Sequence, residues 1–230
     1  MNKQQLTELI EKYFTNHSEI RVLDAGCGSE VHLELSKKLK ITGLDISIEQ
    51  LERNNYISDK ICTDLQTYNF QDSSFDVIIC WYVLEHIKYP RNVILKFIKA
   101  LEPNGLLFLA LPNIWSVKGI ITKFTPTFIH IWFYRNILKY RSAGINGNGP
   151  FKTYLKKDIS PNKIKQLAHE NNLEIVYFSF ENLPDFQRKI KQNLLMYVIQ
   201  AFVSSVLWLF SFGKIKLRNP NFVVVLEKTT

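Results

Sequence analysis

The chain has 230 residues, 46% of them hydrophobic and 22% charged, with a formal net charge of +8. That length and balance exclude a disordered or fibrous chain and suit one α/β core with elaborations, expected as a single domain over 1–230. The charge is uneven: 113–157 holds eight Lys/Arg and 186–220 holds six, both without Asp or Glu, so the remainder is net acidic and DNA binding is not expected.

The chain opens on MNKQQLTELIEKYF, whose Leu6, Leu9, Ile10, Tyr13 and Phe14 have helical spacing. It contains no apolar core of signal-peptide length, so the expected location is cytoplasmic. Ile20 to Leu23 then reads as a buried strand ending in Asp24-Ala25-Gly26-Cys27-Gly28-Ser29, and Leu33 to Leu39 reads as the helix that follows. Glycines in such a turn permit positive φ and close backbone approach to a ligand, although a tight turn without a ligand has the same pattern. The next strand, Ile41 to Leu44, ends at Asp45, where an acid accepts the ribose hydroxyls of a nucleoside bound over the first turn. A dinucleotide fingerprint requires glycine at position 31, which is Val31, so a nucleoside without a pyrophosphate fits better. Cys27, Cys62 and Cys80 share no metal-ligand spacing and are expected as reduced, buried thiols; no metal site is expected.

Further strands follow at ICTDL, FDVIICWYV and Leu106 to Leu111, then a helix over Pro161 to Asn172, a sixth strand over Leu173 to Phe180 and a last over Phe222 to Leu226. In order and spacing, VLDAGCGSE, TGLDIS, ICTDL, FDVIICWYVLEHI and LEPNGLLFLALPN resemble the successive motifs of the class I S-adenosylmethionine-dependent methyltransferases. The resemblance implies a Rossmann-like, doubly wound, seven-stranded mixed sheet, the last strand antiparallel, with S-adenosyl-L-methionine as cofactor. It places Asp24, Gly26 and Gly28 at the methionine end of the cofactor, Asp45 on the ribose and Asp64 on the adenine amino group. Leu65 would pack beside the adenine ring, and Trp81 and Tyr82 along the cofactor. Glu30 stands where the family often has another glycine, beside the place of the cofactor's own carboxylate. Taken alone, Asp24 also suits a turn-holding role and Asp64 an ordinary strand-end acid.

His86, in LEH after the fourth strand, is the candidate general base, the alternative being a hydrogen-bonded wall of the pocket; His130 is a weaker candidate. No Asn/Asp-Pro-Pro-Tyr/Phe stretch follows the fourth strand, which disfavours amide or exocyclic amino nitrogen as acceptor.

Two insertions, 113–160 and 186–220, interrupt the sheet at its carboxyl edge and are expected to form a helical cap. The first mixes aromatics with Lys and Arg and ends in AGINGNGPFKTY, whose glycines suit lid hinges. The second holds Leu194 to Phe212, nineteen residues without a charge. Flanking strands paired side by side forbid a single crossing, and Asn193, Gln200, Ser204 and Ser211 fall on one helical stripe, so peripheral contact with the inner face of the cell membrane is expected there. Packing on the first insertion and an oligomer seam are the alternatives. The acceptor is accordingly expected to be a small or lipid-like molecule. The competing functions are an RNA methyltransferase using the basic cap and an inactive membrane-associated binding protein of the same fold.

Overall fold

The long apolar runs become the central strands of one sheet, because a parallel sheet covered on both faces needs strands apolar on both sides. The computed structural model describes residues 3–34, 36, 38–57, 59–145, 148–181 and 220–229, with 198, 202 and 205 as single positions. The strands are β1 (Ile20–Ala25), β2 (Leu39–Asp45), β3 (Asp59–Cys62), β4 (Phe75–Trp81), β5 (Leu101–Pro112), β6 (Leu173–Glu181) and β7 (Asn221–Lys228). Their order is β3-β2-β1-β4-β5-β7-β6, with β7 antiparallel to both β5 and β6 and the other pairs parallel. This is the expected Rossmann-like mixed sheet, and its topological switch lies between β1 and β4.

Alternation along β5 divides the core. Leu107, Leu109 and Leu111 face helices α3 (Pro90–Ala100) and α6 (Pro161–Glu170), packing against Phe97 and Leu167, while Leu106 and Phe108 share the opposite cluster with α1 (Lys3–Tyr13). Leu6 and Ile10 of α1 are fully buried there, contributing roughly 3–6 kcal/mol of burial together.

Helix α1 covers ground that the helix expected over Leu33 to Leu39 would occupy. That helix is absent among the described residues: those from Ser29 to Lys38 are turn, bend or irregular, and Leu39 already begins β2. The reason is length. To start β2 beside Ile20, the chain must travel back along β1, roughly 17 Å at strand rise. A helix over the nine residues left between Ser29 and Leu39 would advance only about 14 Å, whereas extended chain covers the distance. Instead the segment is held on α1: the Glu34 N–H donates to Thr7 Oγ1, and Ser36 Oγ donates to Glu11 Oε1. Helix α2 (Ile48–Arg53), by contrast, is capped by Ser47, whose hydroxyl accepts the Gln50 N–H.

Cys62 corrects a second expectation, being exposed, because β3 is an edge strand; Cys27 and Cys80 are buried. Burial, then the neighbouring Asp24 and Asp45, pushes the Cys27 thiol up to about 12, so it stays protonated.

The first insertion contains α4 (Val117–Phe124) and α5 (Thr127–Asn136), and Gly144 in its loop has φ +71°. The stretch 194–212 lies outside the described residues except at Val198, Phe202 and Ser205, which are helical.

One ion-pair group fastens β1 to β4. β1–β4 pairing begins at Val22↔Val77, and the buried Asp76 carboxylate takes the preceding Arg21 main-chain N–H at 2.8 Å. The Arg21 guanidinium also donates to Asp76 and, through Nη2, to Glu102. Burial opposes ionisation of Asp76, but the bonds from Arg21 outweigh it and hold its carboxyl below the usual range. Asp76→Ala is expected to destabilise the fold by about 1–3 kcal/mol, since it takes the acceptor from the Arg21 main-chain N–H and leaves the guanidinium with Glu102 alone. Because the folded carboxyl is the stronger acid, wild-type stability from this group is complete above about pH 4 and is lost as pH falls through the lower folded value. Urea titrations of both proteins across that window check the magnitude and the sign.

Candidate active site

The site is assembled where β1, β2 and β4 end. Gly26 has φ +78° and Gly28 φ +57°, the left-handed region where a side chain is strained. A Cβ on Gly26 would stand 2.3 Å from Val83 Cγ2, so the turn after β4 packs directly on the turn after β1. A Cβ on Gly28 would meet only Gln50 Oε1, at 3.7 Å, which leaves that flank of the turn open.

Asp45 ties the tip of β2 to the same turn. Its Oδ2 accepts the Gly28 N–H at 2.9 Å and its Oδ1 the Ser47 N–H at 2.8 Å. Each oxygen keeps a lone pair for a further donor. The Gly26 N–H continues this joint by donating to the Leu44 carbonyl.

Asp24 is fully buried and turned to His32, a residue the sequence reading passed over. The carboxylate accepts the His32 N–H at 3.1 Å and its Nδ1–H at 2.9 Å. The imidazole in turn stacks on Trp81, with ring centroids 6.3 Å apart. Asp24, His32 and Trp81 therefore form a row beneath the Gly turn, which no sequence spacing announces, because His32 reaches Asp24 through a segment that is not helical.

The other expected residues divide. Asp64 forms a local turn, accepting the Gln66 N–H at 2.8 Å, and Thr63 donates its N–H to the Asp45 carbonyl, which places Asp64 next along the edge. Leu65 is buried in the core with Leu44, Cys80 and Leu84. Tyr82 has φ +57°, rare for an aromatic residue, with its N–H on the Ala110 carbonyl while the chain leaves the sheet. Burial, then Glu181 and Glu85, raises its phenol to about 12, so at neutral pH it is a donor. Glu30 points outward: its exposed carboxylate lies 3.5 Å from Lys3 Nζ.

His86 sits in the 3-10 turn Leu84–His86. Its Nδ1 lies 2.9 Å from the Lys152 carbonyl, and a carbonyl only accepts, so Nδ1 carries the hydrogen and Nε2 the lone pair. The segment that supplies Lys152 closes the first insertion; Tyr154 and Leu155 donate their N–H groups to the Glu85 carbonyl, and Phe151 meets the imidazole edge to face. Burial lowers the His86 pKa, against the opposing effect of the Lys152 carbonyl. His130 is instead bonded within its own insertion, Nε2 donating to the Thr125 carbonyl.

Two further features escape sequence reading. A cleft of about 770 Å3 flanks the Gly turn, lined by Ser29, Glu30, Tyr56 and Asn148 among others, so the glycine-rich loop of the first insertion reaches this turn. Asn221, at the carboxyl edge of the sheet opposite Pro112, is 1% exposed, and among the described residues neither its Oδ1 nor its Nδ2 has a hydrogen-bond partner.

A family model described as a methyltransferase domain matches residues 2–177. The chain belongs to the S-adenosylmethionine-dependent methyltransferase family. It is 29% identical over 170 residues to the mitochondrial ubiquinone biosynthesis O-methyltransferase of Candida albicans, a match covering 68% of this chain and 47% of that protein. It thus spans about half of that relative's length. Among solved structures, an S-adenosylmethionine-dependent methyltransferase of Methanosarcina mazei aligns with TM-score 0.57 at 19% identity, covering 96% of this chain and 97% of that one. The YcgJ protein of Bacillus subtilis aligns with TM-score 0.59 at 15% identity, covering 98% of each. These two establish the fold.

The methyltransferase site fits the family's cofactor. The open flank of Gly28, the spare lone pairs of Asp45 and the partly buried indole of Trp81 offer close backbone approach, acceptors for hydroxyl groups and an apolar wall at one edge.

Proposed function

We propose that this methyltransferase transfers the methyl group of S-adenosyl-L-methionine to an oxygen of a small, amphiphilic aromatic acceptor resembling a phenolic quinone precursor. The observation that carries the reading is His86: a neutral imidazole at the carboxyl edge, its tautomer set by the Lys152 carbonyl so that Nε2 is basic. A phenolic oxygen needs such a base, whereas the pattern expected for amide or exocyclic amino acceptors is missing after β4. The relatives named as ubiquinone biosynthesis O-methyltransferases support an oxygen acceptor.

The cofactor supplies a methyl group on a sulfonium, which departs as a neutral thioether and needs no acid. The protein's part is alignment, exclusion of water and removal of one proton. Asp45, with Gly28, holds the ribose end, and Trp81, fixed by His32, forms the apolar wall on which the cofactor lies. Asp24 acts one step back, as a positioning residue that holds His32 and the turn. Asp64 would accept from the adenine amino group, and Leu65 would back that end from the core. Nε2 of His86 takes the hydroxyl proton as the acceptor oxygen bonds the methyl carbon. The Tyr82 phenol, protonated at neutral pH, is a donor for the acceptor's second oxygen.

The test is transfer from methyl-labelled cofactor to a set of alkylated phenols and catechols, followed by extraction into organic solvent. A labelled methyl ether in the organic phase is the expected result. Label recovered only in RNA, or absence of cofactor binding by the wild type, would sink the proposal.

A further inference from the structure

Helix α5 has a composition at odds with its surroundings. Six of the ten residues in TFIHIWFYRN are apolar or aromatic, yet none is buried. A helix of that character in a globular protein normally packs into a core. Phe128 and Trp132, one turn apart on α5, are 70% and 57% exposed, and Phe124, at the end of α4, is 76% exposed. Ile129, Ile137 and Tyr140 extend the surface. An apolar patch of this kind rimmed by polar groups marks an interaction site.

From this we infer that the α4–α5 region is a docking surface for an anionic lipid bilayer. Charge names the occupant. All eight ionisable side chains of Asp, Glu, Lys and Arg type in 113–157 are basic. Lys123 Nζ lies 5.8 Å from the centre of the Phe124 ring, and Lys139 and Arg141 are exposed just beyond α5. Aromatic side chains seated at headgroup depth beside Lys and Arg are the features that hold an interfacial helix on a negative leaflet. Single-stranded RNA would use the charges and the aromatic rings, but Ile129 and Ile137 offer it no stacking surface, whereas a bilayer takes them up. With 8 and 10 residues, α4 and α5 are too short to cross a bilayer, so contact through them is interfacial.

Placement gives the surface its purpose, which rests on the amphiphilic-acceptor reading. The insertion leaves β5 at Pro112 on the carboxyl edge, and its closing segment bonds to Glu85 and His86. A molecule dissolved in the leaflet therefore meets the protein on the element that frames the base.

The test uses the full chain, phosphatidylcholine vesicles and the same vesicles with about 30 mol % phosphatidylglycerol. Co-sedimentation is expected with the anionic vesicles only, weakening with salt. The variant Phe124→Ser/Phe128→Ser/Trp132→Ser is expected to lower partitioning about tenfold or more, with calorimetric binding of S-adenosylhomocysteine unchanged as proof of folding. Unchanged sedimentation of the variant would overturn the inference, placing the contact elsewhere in the chain. No vesicle binding by the wild type, whether accompanied by salt-sensitive RNA binding or by a dimer that the variant dissociates, would overturn it too. Methyl transfer to a water-soluble phenol without vesicles reads the chemistry separately, so failure of one proposal is not mistaken for failure of the other.

Discussion

His86→Asn is expected to lower kcat by about 10²–10⁴ while S-adenosylhomocysteine affinity stays within about twofold. Asparagine suits the comparison because its amide still donates to the Lys152 carbonyl, as Nδ1 does in the wild type, yet offers no basic nitrogen at the position of Nε2. A wall-forming role would leave kcat nearly intact and change KM. The pH profile separates these roles further. Burial holds the imidazole below its ordinary value of about 6.5, so the active neutral form persists at pH 7 and kcat falls only as pH drops through the lower folded value. The variant loses this acid limb. The same depression works on stability in the same direction: the folded state resists protonation, so the contribution is complete above about pH 6.5 and is lost as pH falls below it. A variant with wild-type kcat, or one whose acid limb persists, would refute the assignment.

Asp45→Ala is expected to weaken S-adenosylhomocysteine binding at least about 100-fold, since two hydrogen bonds to a charged acceptor contribute roughly 1.5–3 kcal/mol each. A second consequence separates this position from a simple ribose contact. The carboxylate also takes the Gly28 and Ser47 N–H groups, so its loss loosens the Gly turn before any ligand arrives, at a cost of about 1–2 kcal/mol in the free protein. Asp45→Asn, which retains an acceptor but no charge, should recover part of the stability and little of the affinity. Titration calorimetry with urea melts on both variants gives the two numbers; affinity within threefold of wild type for the alanine variant would remove Asp45 from the site.

These two expectations differ in how they became visible. Asp45 was legible because a strand-end acid at the switch of a doubly wound sheet depends only on strand order, and strand order follows from apolar runs. His86 was legible as the candidate base but its tautomer was not, since that is decided by a carbonyl 66 residues away. For Leu65 the motif implies a ring contact, and the fold adds that it packs among Leu44, Cys80 and Leu84.

The sequence by itself determined the sheet: β1, β4, β5 and β7 are apolar enough to be central, Gly26 and Gly28 mark the turn after β1 that adopts positive φ, and β7 returns antiparallel as the motif order implies. Local pattern suffices there because alternation and glycine freedom are properties of single segments. Tertiary structure alone decided that the described residues of Leu33 to Leu39 are not helical, that His32 bridges Asp24 and Trp81, that Asn221 is buried without a partner among the described residues, and that α5 buries none of its aromatic residues. Each of these is set by the distance between elements remote in the chain: the span of a crossover, the reach of a loop, a face left uncovered by the other described elements. Such distances exist only once the sheet has closed, and no periodicity in the amino-acid order encodes them.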